Sequence, residues 1–306
     1  MLLPLAAAVA ALTAARIVYA TRREREFARR WPAGEDGVIP GARTIDLDAS
    51  DAAGAADGRA ALLLHGFGDT PQTLAGLAEY LHARGWSVRA PLLPGHGRTL
   101  SAFAESRAEA WIDFARDEWT RYRERHPRAA LVGLSMGGAI ASVLAAESPP
   151  PPALALIAPY VSMPTTVRRA ARVHWLIGAA LPYVSGGGER SVHDEEARAL
   201  SLAYGSCTPR LLAELAAVVE RARRALPALR APTLVVQSRH DNRIPPEAAA
   251  RAFELVGAPE KELVWTDVGG HVITVDVGRE RVFALLEKWL AAHETAALGS
   301  RLSALG

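Results

Sequence analysis

Residues 129–137, Ala-Ala-Leu-Val-Gly-Leu-Ser-Met-Gly, decide the fold of this chain. The apolar run Ala129–Leu134 has the length and composition of a buried strand, and a helix-like run follows it. Ser135 stands at the corner between them, flanked at a distance of two residues by Gly133 and Gly137. A serine on such a turn has a strained backbone, and the flanking chain passes close to it, so glycines are needed there. The pattern predicts a nucleophile elbow at Ser135.

Apolar strand-like runs alternate with helical patterns through most of the chain. The runs that predict strands are Ala60–Leu64, Ser87–Leu92, Ala129–Leu134, Ala153–Ile157, Leu234–Gln237 and Glu262–Trp265. The patterns that predict helices are Pro71–Arg84, Glu105–Arg125, Gly138–Glu147 and Glu280–His293. This alternation predicts an α/β fold with a mostly parallel sheet and helices on both faces. The 306 residues, 50% of them apolar, fit a single such domain over residues 31–306.

The stretch Val161–Leu229 interrupts the alternation. It contains amphipathic helical patterns and a glycine run at 186–188, but no convincing strand. Because it is inserted between two strand units, it predicts a small helical cap. Most of its apolar side chains are expected to pack inside the cap, and Trp175, Leu176 and Tyr183 are candidates for the lining of a substrate pocket.

Two further residues complete a catalytic set with Ser135. A serine hydroxyl is a poor nucleophile unless a base takes its proton and an acid orients that base. On this kind of sheet the order along the chain is Ser, then Asp or Glu, then His. Asp241 follows the predicted strand Leu234–Gln237, and His271 follows the next one. Both stand at the carboxyl ends of strands, where open α/β sheets place their sites.

The competing residues lack that placement. The histidines without a strand-end position are His126, His174, His193 and His240. Asp267 and Asp276 compete with Asp241 for the acid, but both lie within a few residues of His271 and neither follows the preceding strand. The sequence therefore favours Ser135, Asp241 and His271.

The reaction also needs hydrogen-bond donors for the oxygen that becomes negative in the tetrahedral intermediate. The backbone amide of Met136, directly after the nucleophile, is one predicted donor. The loop His65–Gly68 follows the strand Ala60–Leu64, and the Phe67 amide is the second. His65 and His96 lie in neighbouring glycine-containing loops, and we interpret both as structural.

Five segments together carry a family resemblance: Leu64–Gly68, Pro94–Gly97, Gly133–Gly138, Gln237–Asp241 and Gly270–Asp276. The chain resembles the bacterial carboxylesterase and monoacylglycerol lipase group of the α/β-hydrolase superfamily, from about Ala60 to Leu290. The resemblance implies a serine carboxylester hydrolase for short- to medium-chain acyl esters, monoacylglycerols among them. It implies a triad of Ser135, Asp241 and His271.

Other functions are compatible with the same residues. A thioesterase or a lysophospholipase would use the same triad, and a membrane-tethered binding protein on a hydrolase fold is the alternative from another class. The implied partner is a small-molecule acyl ester, and no metal or organic cofactor is needed. The net charge of +2, with scattered basic residues, argues against nucleic acid. Cys207 is the only cysteine, which excludes an intrachain disulfide, and the sequence leaves the oligomeric state open.

Residues 1–30 form an apolar segment with a basic flank. The run Leu2–Ala20 is interrupted only by Thr13 and Arg16, and five arginines follow it. Because positive residues favour the cytoplasmic side, we interpret the run as a membrane anchor with the catalytic domain in the cytoplasm. The alternatives are a peripheral or packed helix of a cytoplasmic protein, or a secreted protein cleaved after Val18-Tyr19-Ala20.

Overall fold

A seven-stranded sheet forms the centre of the computed structural model, which describes residues 2–49, 58–147, 149–185 and 191–303. Its strands are β1 (Ile45–Leu47), β2 (Ala60–Leu64), β3 (Ser87–Ala90), β4 (Ala130–Leu134), β5 (Leu154–Ile157), β8 (Thr233–Ser238) and β9 (Lys261–Thr266). They are ordered β1-β3-β2-β4-β5-β8-β9. β1 runs antiparallel to β3, and every other neighbouring pair is parallel. The mostly parallel sheet predicted from the alternation is confirmed.

Helices cover both faces of this sheet. Their bounds are α1 (Leu2–Arg30), α2 (Ala75–His82), α3 (Leu100–Ala104), α4 (Ala108–Arg125), α5 (Met136–Ala146), α6 (Thr165–Arg172), α7 (His174–Ala180), α8 (Glu195–Leu200), α9 (Pro209–Ala225), α10 (Pro246–Glu254) and α11 (Arg279–Ser303). Alternate strand residues point to opposite faces, so Leu62 and Leu131 pack with α4, α5 and α9. Leu63 and Val132 pack on the other face with α2 and α11.

All six predicted strands are present, with bounds that differ by at most two residues. β1, α3 and α10 were not predicted from the sequence. β1 has three residues and lies at the edge of the sheet, and α3 has five, so neither is long enough to show a period.

The insertion between β5 and β8 contains α6 to α9, as expected for a helical cap, but it also contains two strands. β6 (Val184–Ser185) and β7 (Ser206–Cys207) pair antiparallel in a separate small sheet, so the expectation of a cap without strands was wrong. Two-residue strands are too short to leave a pattern in the sequence. The glycine run at 186–188 lies outside the described residues. Within α9, Leu211 and Leu215 are buried at the helical spacing that predicted packing.

The N-terminal helix packs against the cap. The Arg16 guanidinium donates a hydrogen bond to the carbonyl of Gly178 at 2.7 Å, and the Tyr183 hydroxyl donates to Glu24 at 2.8 Å. Phe27 stacks on Tyr204 with 4.8 Å between the ring centroids. Among the residues that the structure describes, no helix has both the length and the apolar character to cross a membrane. The predicted transmembrane anchor is therefore not supported.

Candidate active site

Ser135 lies at the sharp turn between β4 and α5. Its backbone has φ 54° and ψ −116°, a left-handed conformation that a non-glycine residue adopts only under strain. A Cβ atom added at Gly133 would collide with the carbonyl of Gly137, and one added at Gly137 would collide with the carbonyl of Leu64. Both glycines are thus required by close backbone contacts, as the sequence predicts for an elbow.

The structure brings Ser135, His271 and Asp241 into one hydrogen-bonded chain. Nε2 of His271 lies 2.7 Å from Oγ of Ser135, and Nδ1 of His271 lies 2.8 Å from Oδ2 of Asp241. All three side chains are buried. Because a carboxylate oxygen only accepts, Nδ1 carries the proton, which leaves Nε2 free to accept the serine proton. This geometry fits a nucleophile, a general base and an orienting acid.

Asp241 is held in its orientation by other hydrogen bonds. Gln237 donates to Oδ2 at 2.7 Å, and the backbone amides of Arg243 and Ile244 donate to Oδ1 at 2.7 and 2.9 Å. Burial acts to raise the pKa of Asp241, but the hydrogen bonds from His271 and from these two amides outweigh it. The pKa of Asp241 therefore lies below its ordinary value, and the side chain is a carboxylate at neutral pH.

The loop that carries Phe67 follows β2 and lies against Ser135. A Cβ atom added at Gly66 would lie 3.4 Å from Cβ of Ser135, which places the Phe67 amide one residue from this contact. Met136, whose amide is the other predicted donor, is the first residue of α5. The positive end of the α5 helix dipole lies at this turn, next to Ser135.

His65 and His96 support this loop. Nε2 of His65 accepts from the Leu93 amide at 3.1 Å, and Nε2 of His96 accepts from the Gly68 amide at 3.2 Å. The Nδ1 atoms face backbone carbonyls, which only accept, so each Nδ1 carries the proton. Burial lowers the pKa of His65 to about 4 and lowers the pKa of His96 well below its ordinary value. Both rings are therefore neutral at pH 7, in agreement with a structural role.

Tyr204 of the cap connects two of the loops beside the site, although no sequence motif marks it. Its backbone amide donates to the carbonyl of Gly68 at 3.0 Å. Its hydroxyl accepts from the Arg98 amide at 3.0 Å and lies 3.1 Å from the carbonyl of Gly95. Its ring stacks on Phe103 with 4.4 Å between the centroids. Tyr204 thus connects the cap to the loop that carries Phe67 and to the Pro94–Gly97 loop.

Asp276 orders the loop that carries His271. The sequence offered Asp276 only as an alternative to Asp241. The two carboxylate oxygens of Asp276 accept backbone amide hydrogen bonds of 2.6–2.8 Å from His193, Asp194, Gly270 and Val277. Burial acts to raise the pKa of Asp276, but these amide bonds outweigh it and hold the pKa below its ordinary value. Asp276 thereby ties the residue before His271 to the cap. A carboxylate six residues after Gly270 was visible in the sequence, but its amide partners in the cap were not.

The candidate pocket residues lie in the cap, and their role in lining a substrate pocket stays a prediction. The side chains of Trp175 and Leu176 are 67% and 57% exposed on α7. Tyr183 is buried, but its hydroxyl donates to Glu24 of α1. Cys207 is buried as well, and burial raises the pKa of its thiol to about 12. In the described part of the chain, no group of three His, Cys, Asp or Glu residues could hold a metal ion.

Comparisons with known proteins show to which family this chain belongs. The family model described as Hydrolase_4, serine aminopeptidase, S33, matches residues 57–278. The chain belongs to this family. It is 29% identical over 235 residues to a carboxylesterase of Bacillus subtilis (strain 168), across 75% of this chain and 93% of that protein. It is 26% identical over 232 residues to a thermostable monoacylglycerol lipase of Bacillus sp. (strain H-257), across 76% and 90%.

Solved structures agree with this assignment. A structure from the metagenome-derived lipolytic enzymes LipS and LipT superimposes with a TM-score of 0.75 at 27% identity, covering 84% of this chain and 100% of that chain. A monoacylglycerol lipase of Paleococcus ferrophilus superimposes with a TM-score of 0.67 at 20% identity, covering 82% and 98%. The α/β-hydrolase fold and the resemblance to the esterase and lipase group are confirmed, and this member of the family is a serine hydrolase.

Proposed function

We propose that the protein is a carboxylester hydrolase that acts on short- to medium-chain acyl esters, including monoacylglycerols, through an acyl-enzyme on Ser135. The observation that carries this proposal is the hydrogen-bonded chain from Ser135 Oγ through His271 to Asp241, at 2.7 and 2.8 Å. The similarity to a carboxylesterase and to a monoacylglycerol lipase supports the substrate class.

In the proposed first step, Oγ of Ser135 attacks the ester carbonyl while Nε2 of His271 takes the serine proton. The amides of Phe67 and Met136 stabilise the negative oxygen of the tetrahedral intermediate. The bond from the carbonyl carbon to the leaving oxygen then breaks, and His271 gives the proton to that oxygen. Asp241 stabilises the imidazolium that exists between these two transfers.

In the second step, water attacks the acyl-enzyme and gives its proton to His271. The bond between the acyl carbon and Oγ of Ser135 then breaks, His271 returns the proton to Oγ, and the carboxylic acid leaves. Neither step requires a change in the protonation of Asp241, whose lowered pKa keeps it ionised.

A series of p-nitrophenyl esters and monoacylglycerols with graded acyl length tests this function on the full chain. We expect turnover with the wild-type protein, and a loss on the order of 10³-fold or more in kcat for Ser135→Ala. Ser142→Ala is the matched control, because Ser142 is buried in α5, the helix that follows Ser135, and donates to the carbonyl of Gly138. Equal turnover by Ser135→Ala and Ser142→Ala would contradict the proposal.

A further inference from the structure

A cavity of about 820 Å³ lies between the C-terminal part of α1 and the cap. Its charged lining residues are Arg23, Glu26, Arg30 and Arg198. The family match begins at residue 57, so the wall that α1 supplies lies outside the part of the chain shared with the family model. The cavity is therefore formed partly by α1, outside the matched range, and partly by the cap, inside it.

The described lining of this cavity carries three guanidinium groups and one carboxylate. The carboxylate of Glu26 already accepts from Arg22 at 2.8 Å and from Arg23 at 3.3 Å. Nε of Arg23 is buried and has no hydrogen-bond partner among the described residues. A buried donor without a partner costs free energy until an acceptor arrives. Arg198 also donates, to the carboxylate of Glu195 and to the carbonyl of Val192, each at 3.4 Å. The lining still carries more guanidinium groups than carboxylates, and this surplus and the Arg23 donor both suit an anionic ligand.

Three residues of the wall lie next to loops of the candidate active site. Asn242, in its wall, directly follows Asp241. Val192, also in the wall, follows Ser191, whose carbonyl accepts from the Val272 amide next to His271. The wall residue Tyr204 donates its amide to Gly68, next to Phe67. The wall thus adjoins the loops of the acid, the base and the oxyanion donor.

We propose that this cavity is a subsite for a phosphate group carried on the leaving-group side of the acyl substrate. Guanidinium groups bind phosphate oxygens through paired N–H donors, and three of them around one cavity match a doubly charged phosphate. The inference rests on the proposed ester hydrolysis and narrows its substrates to acyl compounds with a phosphorylated alcohol or thiol. The phosphate could belong to a glycerol headgroup or to a phosphopantetheine arm, and both share this chemistry.

The test uses two matched pairs on the full chain: 1-octanoylglycerol with 1-octanoylglycerol 3-phosphate, and octanoyl-pantetheine with octanoyl-phosphopantetheine. We expect kcat/KM to be at least about tenfold higher for one phosphorylated substrate, mainly through a lower KM, and to fall toward the neutral value as salt is added. Whichever phosphorylated substrate is preferred identifies the source of the phosphate. Turnover of 1-octanoylglycerol, which has no phosphate, tests the proposed ester hydrolysis separately.

Arg23→Gln and Arg198→Gln should each lower the ratio of kcat/KM for the phosphorylated substrate over the neutral one, by about tenfold. Arg224→Gln is the matched control, because Arg224 is exposed on α9 and pairs with Glu220. It should leave the ratio unchanged. No preference for either phosphorylated substrate, or an equal ratio in all three variants and the wild-type protein, would overturn the proposal while leaving ester hydrolysis intact.

Discussion

Replacing Asp276 by Asn should destabilise the protein and slow it at the same time. Oδ1 of Asp276 accepts the amides of Asp194 and Val277, and Oδ2 accepts those of His193 and Gly270. An asparagine keeps one acceptor oxygen and presents an NH₂ group to the other pair. In either orientation two backbone amides lose their acceptor, at about 1–3 kcal/mol each. We expect the free energy of unfolding to fall by about 2–6 kcal/mol.

The same substitution should impair catalysis because one of the four amides belongs to Gly270, directly before His271. A displacement of the base by about 1 Å can cost on the order of 10²-fold in rate. We therefore expect kcat for a p-nitrophenyl ester to fall about ten- to hundredfold. Urea unfolding gives the stability change, and initial rates on the folded protein give kcat.

The loss of stability in Asp276→Asn should depend on pH. The folded-state pKa of Asp276 is lowered, so its stabilisation is fully present above the unfolded value of about 4 and is lost as pH falls through the lower folded value. The stability gap between wild-type protein and Asp276→Asn should accordingly narrow in acid. Asp267→Asn is the matched control, because the Asp267 side chain is 79% exposed in the same loop. If both variants stay within about 0.5 kcal/mol of wild type, the reasoning is refuted.

Two other substitutions test the surroundings of the site. Tyr204→Phe leaves the Arg98 amide without its acceptor, so we expect a loss of about 1–3 kcal/mol in urea unfolding together with lower kcat. Tyr80→Phe, on helix α2, should change neither the free energy of unfolding nor kcat. Burial raises the pKa of Asp69 to about 7, so the unfolded chain releases this proton first and stability should decline as pH rises from about 4 to 7. Asp69→Asn should remove that decline and be the more stable protein at pH 8, and an unchanged pH profile would contradict the cause given for the raised pKa.

The sheet and the set of Ser135, Asp241 and His271 could be predicted from the sequence because the patterns that indicate them are local. Buried parallel strands leave continuous apolar runs, and the strand ends place Asp241 and His271 without knowledge of any contact. The elbow glycines were predictable for the same reason, since their offsets from Ser135 follow from the turn itself.

The supporting contacts were not accessible because they join distant parts of the chain. Asp276 accepts amides from residues more than eighty positions earlier, and Tyr204 reaches loops more than a hundred positions before it. Helical spacing showed that the segment with Trp175 and Leu176 is amphipathic, but spacing does not say which apolar side chains face solvent. The apolar start of α1 favoured a membrane anchor. The contacts of α1 with the cap come from Arg16, Glu24 and Phe27, farther along the helix, and could not be predicted from the sequence.

Covalent labelling of the full chain with a fluorophosphonate tests the central claim most directly, because the reagent reacts only with an activated serine. Peptide mass spectrometry should find one adduct, on Ser135, and Ser135→Ala should not be labelled while Ser142→Ala is labelled like wild type. His271→Ala should label far more slowly, since the base 2.7 Å from Oγ is then missing. No adduct on wild-type protein, or undiminished labelling of Ser135→Ala, would contradict the assignment of Ser135 as the nucleophile.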